Sequence, residues 1–224
     1  MPTSLPRPCG KSTECCEDAK PIRTVTQSMN SFENCFCASG LWRCLTERRW
    51  LPWALEGADL GEHVLEVGAG PGAATAELAR RARSVTSLEY SHEFCVRLQA
   101  RVDDARVVQG DASVLPFAPK TFTSAIAVLV LHHLRSSDAQ DRAFAEIFRV
   151  LKPGGVFVAL EIQDGWLTRV AHFRSTFVPV STDRLDSRLG AAGFSNVSVN
   201  NRNGTIRIHA ERMGGIKAQE KMPR

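Results

Sequence analysis

Three acids close apolar runs in the first half of this chain: Glu66 in VLEVGAGPGAAT, Glu89 in SLEY and Asp111 in VVQGDASVLPF. A strand that stops in glycines and opens a helix points free backbone N–H groups and the positive helix end at a ligand. The missing side chains let that ligand come close. Gly68, Ala69, Gly70, Pro71, Gly72 and Ala73 satisfy the G-x-G-x-x-A fingerprint, and Glu89 lies near the roughly 20-residue offset of a ribose-binding acid. The turn alone suits more than one adenine-bearing cofactor, nicotinamide dinucleotides included. Glu66, two residues before the first glycine, narrows the choice, because it can meet an ammonium group but would repel a pyrophosphate. Pro71 removes one N–H that a pyrophosphate would use. Asp111 is suited to accept from an adenine amino group. Together these point to a nucleoside with an amino-acid end. A second group, His132-His133, follows the fourth apolar run. His132 is the candidate general base if an acceptor must lose a proton, and pocket lining is the alternative role for the pair.

Positioning such groups requires strands that end together. Apolar runs predict strands at His63–Val67, Val85–Glu89, Arg106–Gln109, Ser124–Leu129 and Val156–Glu161, with content suited to parallel strands buried on both faces. Between them the spacing predicts helices over Ala73–Ala82, His92–Val102 and Asp138–Leu151. The last carries the stripe Ala143, Phe144, Ile147, Val150 and Leu151, and Ser136 or Ser137 can cap it. Strand and helix in alternation mean an α/β, doubly wound sheet. Lys152-Pro153-Gly154-Gly155 reads as a turn into the fifth strand. A helix over Thr182–Ala192, closed by Gly193, precedes strands Asn196–Asn201 and Thr205–Glu211 across an Asn203-Gly204 hairpin turn.

The rest of the chain sets limits. A length of 224 residues suits one domain with flanking segments. Residues 1–28 show no apolar period and read as a poorly ordered leader, 29–60 as a helical lid segment, 61–212 as the cofactor-binding domain and 213–224 as a flexible tail. In the lid, Phe32 to Leu55 predicts one or two short helices broken by Gly40 and Pro52. No apolar run approaches the roughly 20 residues that span a bilayer, and the start lacks a signal's apolar stretch, so no stable membrane insertion and a cytoplasmic location are expected. A formal charge of +4 without a Lys/Arg stripe argues against a nucleic-acid partner. Six of the seven cysteines, Cys9, Cys15, Cys16, Cys35, Cys37 and Cys44, fall early, but their spacing is not that of a structural zinc site. No metal ligand set is assigned, and the thiols are expected to be reduced.

The motifs VLEVGAGPG, SLEY, GDASVLPFAPKTF, AVLVLHHL and EIFRVLKPGG, in this order, resemble those of the class I S-adenosylmethionine-dependent methyltransferases, in their small-molecule branch, over about residues 34–211. That resemblance implies a Rossmann-like, seven-stranded sheet, mostly parallel with an antiparallel last strand inserted by a hairpin. It implies S-adenosyl-L-methionine as cofactor and a small-molecule acceptor, with a lipid or quinone methyltransferase and a non-catalytic cofactor binder as alternatives. On this sequence, Gly68, Ala69, Gly70 and Gly72 would form the turn under the methionine part, and Glu66 would help position it. Glu89 would accept from the ribose hydroxyls and Tyr90 would flank the adenine. Asp111 would bind the adenine amino group, with the Ala112 N–H on a ring nitrogen, and Leu129 would lie near the sulfonium. The place of the Pro-Pro-aromatic run of amino-base methyltransferases reads VLVLHHL, which disfavours nucleic-acid amines. Further acceptor-side candidates are Glu161, Gln163, His172 and Arg174. Trp166, Val170, Phe173 and Phe177, with Phe36, Leu41 and Trp42, are expected to roof an apolar pocket.

Overall fold

The computed structural model describes residues 30–214. The expected leader, with Cys9, Cys15 and Cys16, and positions 215–224 of the expected tail lie outside the described residues. The described chain opens with α1 (Ser31–Cys37), α2 (Gly40–Leu45), a π-helical turn (Thr46–Trp50) and α3 (Leu51–Ala54). Asn30 starts α1 with a reciprocal capping box: its side chain accepts from the Glu33 N–H while Glu33 Oε2 accepts from the Asn30 N–H. Ser39 caps α2 by accepting from the Trp42 N–H. Pro52, expected to break this run, sits in the first turn of α3, where the ladder has already slipped and a missing N–H is tolerated.

Alternation then begins, with β1 (His63–Val67), α4 (Thr75–Arg81), β2 (Ser84–Glu89), α5 (His92–Gln99), β3 (Ala105–Gln109) and β4 (Phe122–Val128). It continues through α6 (Ser137–Val150), β5 (Leu151–Ile162), α7 (Trp166–Ala171), α8 (Leu185–Ala191), β6 (Ser195–Arg202) and β7 (Thr205–Glu211). The seven strands form one sheet in the order β3-β2-β1-β4-β5-β7-β6. Strands β1 to β5 run parallel, and β7 lies antiparallel to both β5 and β6. The fold is therefore the expected Rossmann-like α/β sheet with an antiparallel last strand. Asn203 and Gly204, at φ +49° and +77°, make the tight hairpin turn that inserts it.

Successive strand residues face opposite sides, so a run apolar at every position feeds two cores at once. Leu65, Ala125, Ala127, Phe157 and Ala159 pack on one face with Phe144 and Ile147 of α6 and Leu185 and Leu189 of α8. Val64, Ile126, Val158 and Leu160 pack on the other with Leu78 of α4 and Leu51 and Ala54 of α3. Burying side chains such as Phe144 or Leu160 contributes about 1.5–3 kcal/mol each. Ser136, accepting from the Ala139 N–H, is the cap that starts α6.

Two departures from the sequence reading matter. The Lys152–Gly155 segment is not a separate turn, since β5 begins at Leu151 opposite Phe122 and absorbs the glycines as an irregularity, with Gly154 at φ +81°. Gly154 N–H donates to the Arg212 carbonyl and Arg212 N–H to that of Gly155, so β7's end holds the segment extended. The Arg212 guanidinium in turn donates to the carbonyls of Phe148, Arg149 and Leu151 at the close of α6. At the other departure, β4 stops at Val128 and Leu129 takes a left-handed φ of +57°.

Candidate cofactor and active site

Where the strand order reverses between β1 and β4, the carboxyl ends of the strands leave a crevice, the usual ligand site of a doubly wound sheet. A cavity of about 400 Å³ opens there, within the range of small-ligand sites. Its floor includes Glu66, Gly68, Ala69 and Gly70 from the first turn, Glu89 and Tyr90 from β2's end, Ala112, and Leu129 after β4. Trp42 and Thr46 reach it from the N-terminal helices.

Glu66 is buried, and its Oε2 accepts from the hydroxyls of Thr75 (2.7 Å) and Ser87 (2.6 Å). Burial pushes its carboxyl up to about 7, against the lowering by those two bonds. Glu89 is also buried and raised by burial. Its Oε2 accepts from the Gly70 N–H and its Oε1 from the Ser91 N–H, both at 2.8 Å. The acid at the end of β2 therefore fixes the glycine turn as well as facing the cavity. Tyr90's hydroxyl accepts from Arg135 at 3.0 Å, a support that no local pattern in the sequence announced.

Each glycine has its own reason. A Cβ on Gly68, at φ +71°, would sit 2.1 Å from Val130 Cγ2, so the turn needs glycine to pass under the segment after β4. A Cβ on Gly72 would meet Leu98 Cδ1 at 2.5 Å, so Gly72, within the expected turn, packs against α5 and is not among the residues that line the cavity. Gly70 differs from both. At φ +55° its Cβ would meet no atom within 4 Å, and it faces the cavity.

Two other expected site residues are not in the wall. Asp111 is half-buried, and its Oδ1 accepts from the Ser113 N–H (2.8 Å) and hydroxyl (2.7 Å), a local turn that D-x-S could have announced. His132 is 2% exposed and sits behind the wall, while His133 lines it. Its Nδ1 lies 2.5 Å from Glu161 Oε2. Since a carboxylate oxygen accepts, His132 Nδ1 carries the proton and Nε2 the lone pair. Glu161 is fully buried, and its Oε1 accepts from the Val130 (3.0 Å) and Leu131 (2.7 Å) N–H groups. One β5 carboxylate thus holds the turn after β4 and the histidine within it. His172 packs edge-on against His132 at 5.1 Å between ring centroids. Burial, then the neighbouring His132 and His172, holds His133 well below the usual histidine range. Among the other acceptor-side candidates, Phe177 stacks near His172, whereas Trp166, Val170, Phe173 and Leu41 are exposed among the described residues and do not line the cavity.

The sequence reading missed Thr46. It lies in the π-helical turn, is 1% exposed, and its Oγ1 has no hydrogen-bond partner among the described residues although it lines the cavity. Buried hydroxyls are normally satisfied, and π turns recur at functional sites, so this oxygen is positioned for a ligand. With the open space at Gly70 and two carboxylates in the wall, the residues present fit a nucleoside with a cationic amino-acid end.

The family described as "Methyltransferase domain" matches residues 65–159. An uncharacterised methyltransferase of Synechocystis sp. is 33% identical over 147 residues, covering 61% of this chain and 68% of that protein. A demethylmenaquinone methyltransferase of Renibacterium salmoninarum is 35% identical over 116 residues, 51% of this chain and 48% of that one. In fold, the chain is similar to a SAM-dependent methyltransferase of Methanosarcina mazei, with a TM-score of 0.61 at 20% identity over 73% of this chain and 98% of the other. The chain belongs to the class I S-adenosylmethionine-dependent methyltransferase family. It spans about half the length of the demethylmenaquinone methyltransferase it matches.

Proposed function

We infer that the protein methylates a small, partly apolar acceptor with S-adenosyl-L-methionine. The observation that carries this reading is the cavity at the strand ends, walled by Glu66, Glu89 and the open face of Gly70. The cofactor, when bound, supplies a methyl group on a cationic sulfur, already activated for transfer. What remains for the protein is binding, alignment and exclusion of water. Gly68, Ala69 and Gly70 would hold the methionine part, with Glu66 on its ammonium, and Glu89 would take the ribose hydroxyls. Tyr90 would flank the adenine, with Ala112 N–H on its ring and Asp111 at its amino group. Leu129 would border the sulfur. The Thr46 hydroxyl closes the cavity from the lid segment, 29–60.

An apolar acceptor suits a wall with Trp42, Phe94, Leu129 and Leu134. The quinone-directed relative supports the runner-up, a quinone or lipid acceptor. No helix among the described residues is long and apolar enough to cross a membrane. We place the reaction in the cytoplasm, which the free thiols of Cys35, Cys37, Cys44 and Cys95 suit. Incubating the purified protein with the cofactor and a panel of phenols, quinols and fatty acids tests the reading. Formation of S-adenosylhomocysteine only with a matching acceptor is expected, and cofactor binding without turnover on any acceptor class would leave a binder instead.

The raised Glu66 carboxyl gives a pH signature. In the folded state it binds its proton more tightly than in the unfolded chain. Its contribution to the stability of the ligand-free protein therefore declines as pH rises from about 4.5 through 7. A cationic ammonium favours the ionised form, so affinity for S-adenosylmethionine rises by up to about tenfold per pH unit on approaching 7 and then levels. Calorimetry across that range should show a steeper rise in the native protein than in Glu66→Gln, where only the raised Glu89 carboxyl remains. A flat native profile would remove Glu66 from the ammonium.

A further inference from the structure

We propose that His132, His133 and His172 form a binding site for one divalent transition-metal ion of the zinc class. One ligand nitrogen from each of the three rings lies within 4.8 Å of the others. For any such triangle a point exists no more than about 2.8 Å from all three, against about 2.0–2.1 Å for a zinc–nitrogen bond, so closure needs side-chain shifts under about 1 Å. Imidazole nitrogens without thiolates suit zinc, copper, nickel or iron rather than magnesium or calcium.

The surroundings of the rings are those of a ligand set. His132 Nδ1 donates to the Glu161 carboxylate at 2.5 Å, and His172 Nδ1 donates to the Thr168 carbonyl at 2.7 Å. His133 Nδ1 lies 3.3 Å from the Thr176 carbonyl oxygen. Acceptors on Nδ1 fix that tautomer and leave Nε2 of His132 and His172 with the lone pair a metal takes, the outer-shell pattern usual for ligating histidines. His172 Nε2 faces Glu33 Oε1 at 3.4 Å. A buried carboxylate thus sits beside the three rings and complements a cation held by them.

The elements that bring these groups together are otherwise hard to account for. Asn30 Nδ2 donates to the carbonyls of Ala171 and Phe173, and Ser175 Oγ donates to Glu33 Oε1, so the start of α1 is tied to the loop after α7 that carries His172. Glu33 and Glu161 are both buried, and a divalent ion would balance two carboxylates around three imidazoles. Because His133 also lines the cavity, the site adjoins the expected acceptor space. It stands whether or not the cavity takes S-adenosylmethionine.

The full-length protein, stripped with a chelator that is then removed, would be titrated with Zn²⁺ by calorimetry and with Co²⁺ by absorption. One equivalent should bind, and cobalt should give visible d–d bands without the near-ultraviolet sulfur-to-cobalt transition, the same result appearing after the cysteines are alkylated. This spectrum reads the ligand type in the native protein, independently of any variant's folding. In His172→Ala, affinity should drop more than about 100-fold. Glu161→Gln keeps an acceptor for the backbone but presents an amide N–H to His132 Nδ1, moving the proton to Nε2. Loss of about 10–100-fold is expected there. No uptake, a thiolate spectrum, loss on alkylation, or unchanged affinity in both variants would overturn the proposal.

Discussion

Gly70→Val is expected to abolish binding of S-adenosylmethionine while leaving the domain folded. The three glycines of the turn look equivalent in sequence, yet only Gly70 has open space where a side chain would go. A valine there enters the cavity instead of the protein. Its backbone must hold φ near +55°, which for an L residue costs about 1–2 kcal/mol. That is well below the roughly 5–15 kcal/mol of a typical domain. The melting temperature should therefore fall by only about 2–8 °C. Binding should fall more than about 100-fold, or 2.7 kcal/mol, because the isopropyl group and the ligand would occupy one volume. Gly68→Val makes the contrast, since its Cβ would collide with Val130 at 2.1 Å and the protein should fail to fold. Calorimetry beside a thermal scan reads both. If Gly70→Val bound the cofactor within a few-fold of the native protein, the ligand would not lie on this turn.

Much of the frame was legible because its signals are local. His63–Val67 and Thr205–Glu211 fall where the sequence reading put them, since an apolar run with a glycine at one end and an Asn-Gly turn at the other leaves little choice of register. Glu66 and Glu89 reach the cavity because a strand end fixes their position whatever the rest of the chain does. Groups whose place depends on distant partners were not legible. His132 and His133 are adjacent and indistinguishable in sequence. The left-handed Leu129 and the Glu161 carboxylate, contributed by a neighbouring strand, decide that His132 turns inward and His133 lines the wall. Thr46 was equally hidden, because a π turn has no compositional signature and an unsatisfied hydroxyl shows only once its neighbours are placed. The Lys152–Gly155 segment was misread for a similar reason. Proline and glycine mark a turn locally, but pairing with Arg212 across the sheet draws them into β5.

Replacing Glu161 by leucine should destabilise the protein strongly, even though it substitutes a well-sized apolar side chain in a buried place. Glu161 has no exposed surface, and one of its oxygens satisfies the N–H groups of Val130 and Leu131 while the other satisfies His132 Nδ1. Leucine would leave these donors buried without acceptors, and each such loss typically costs about 1–3 kcal/mol. Removing one partner of a buried pair costs about 3–5 kcal/mol. For a chain of this size that corresponds to a fall of roughly 6–20 °C in melting temperature. The damage should also reach function, since Leu129 keeps its left-handed φ of +57° at the cavity only while the following residues are anchored. Glu161→Gln retains a carbonyl oxygen for the two backbone groups and should recover most of the lost stability. Thermal unfolding of both variants decides the matter: a shift under about 1 kcal/mol in Glu161→Leu would mean that water or a rearranged loop satisfies these donors, and that the carboxylate does not organise the turn after β4.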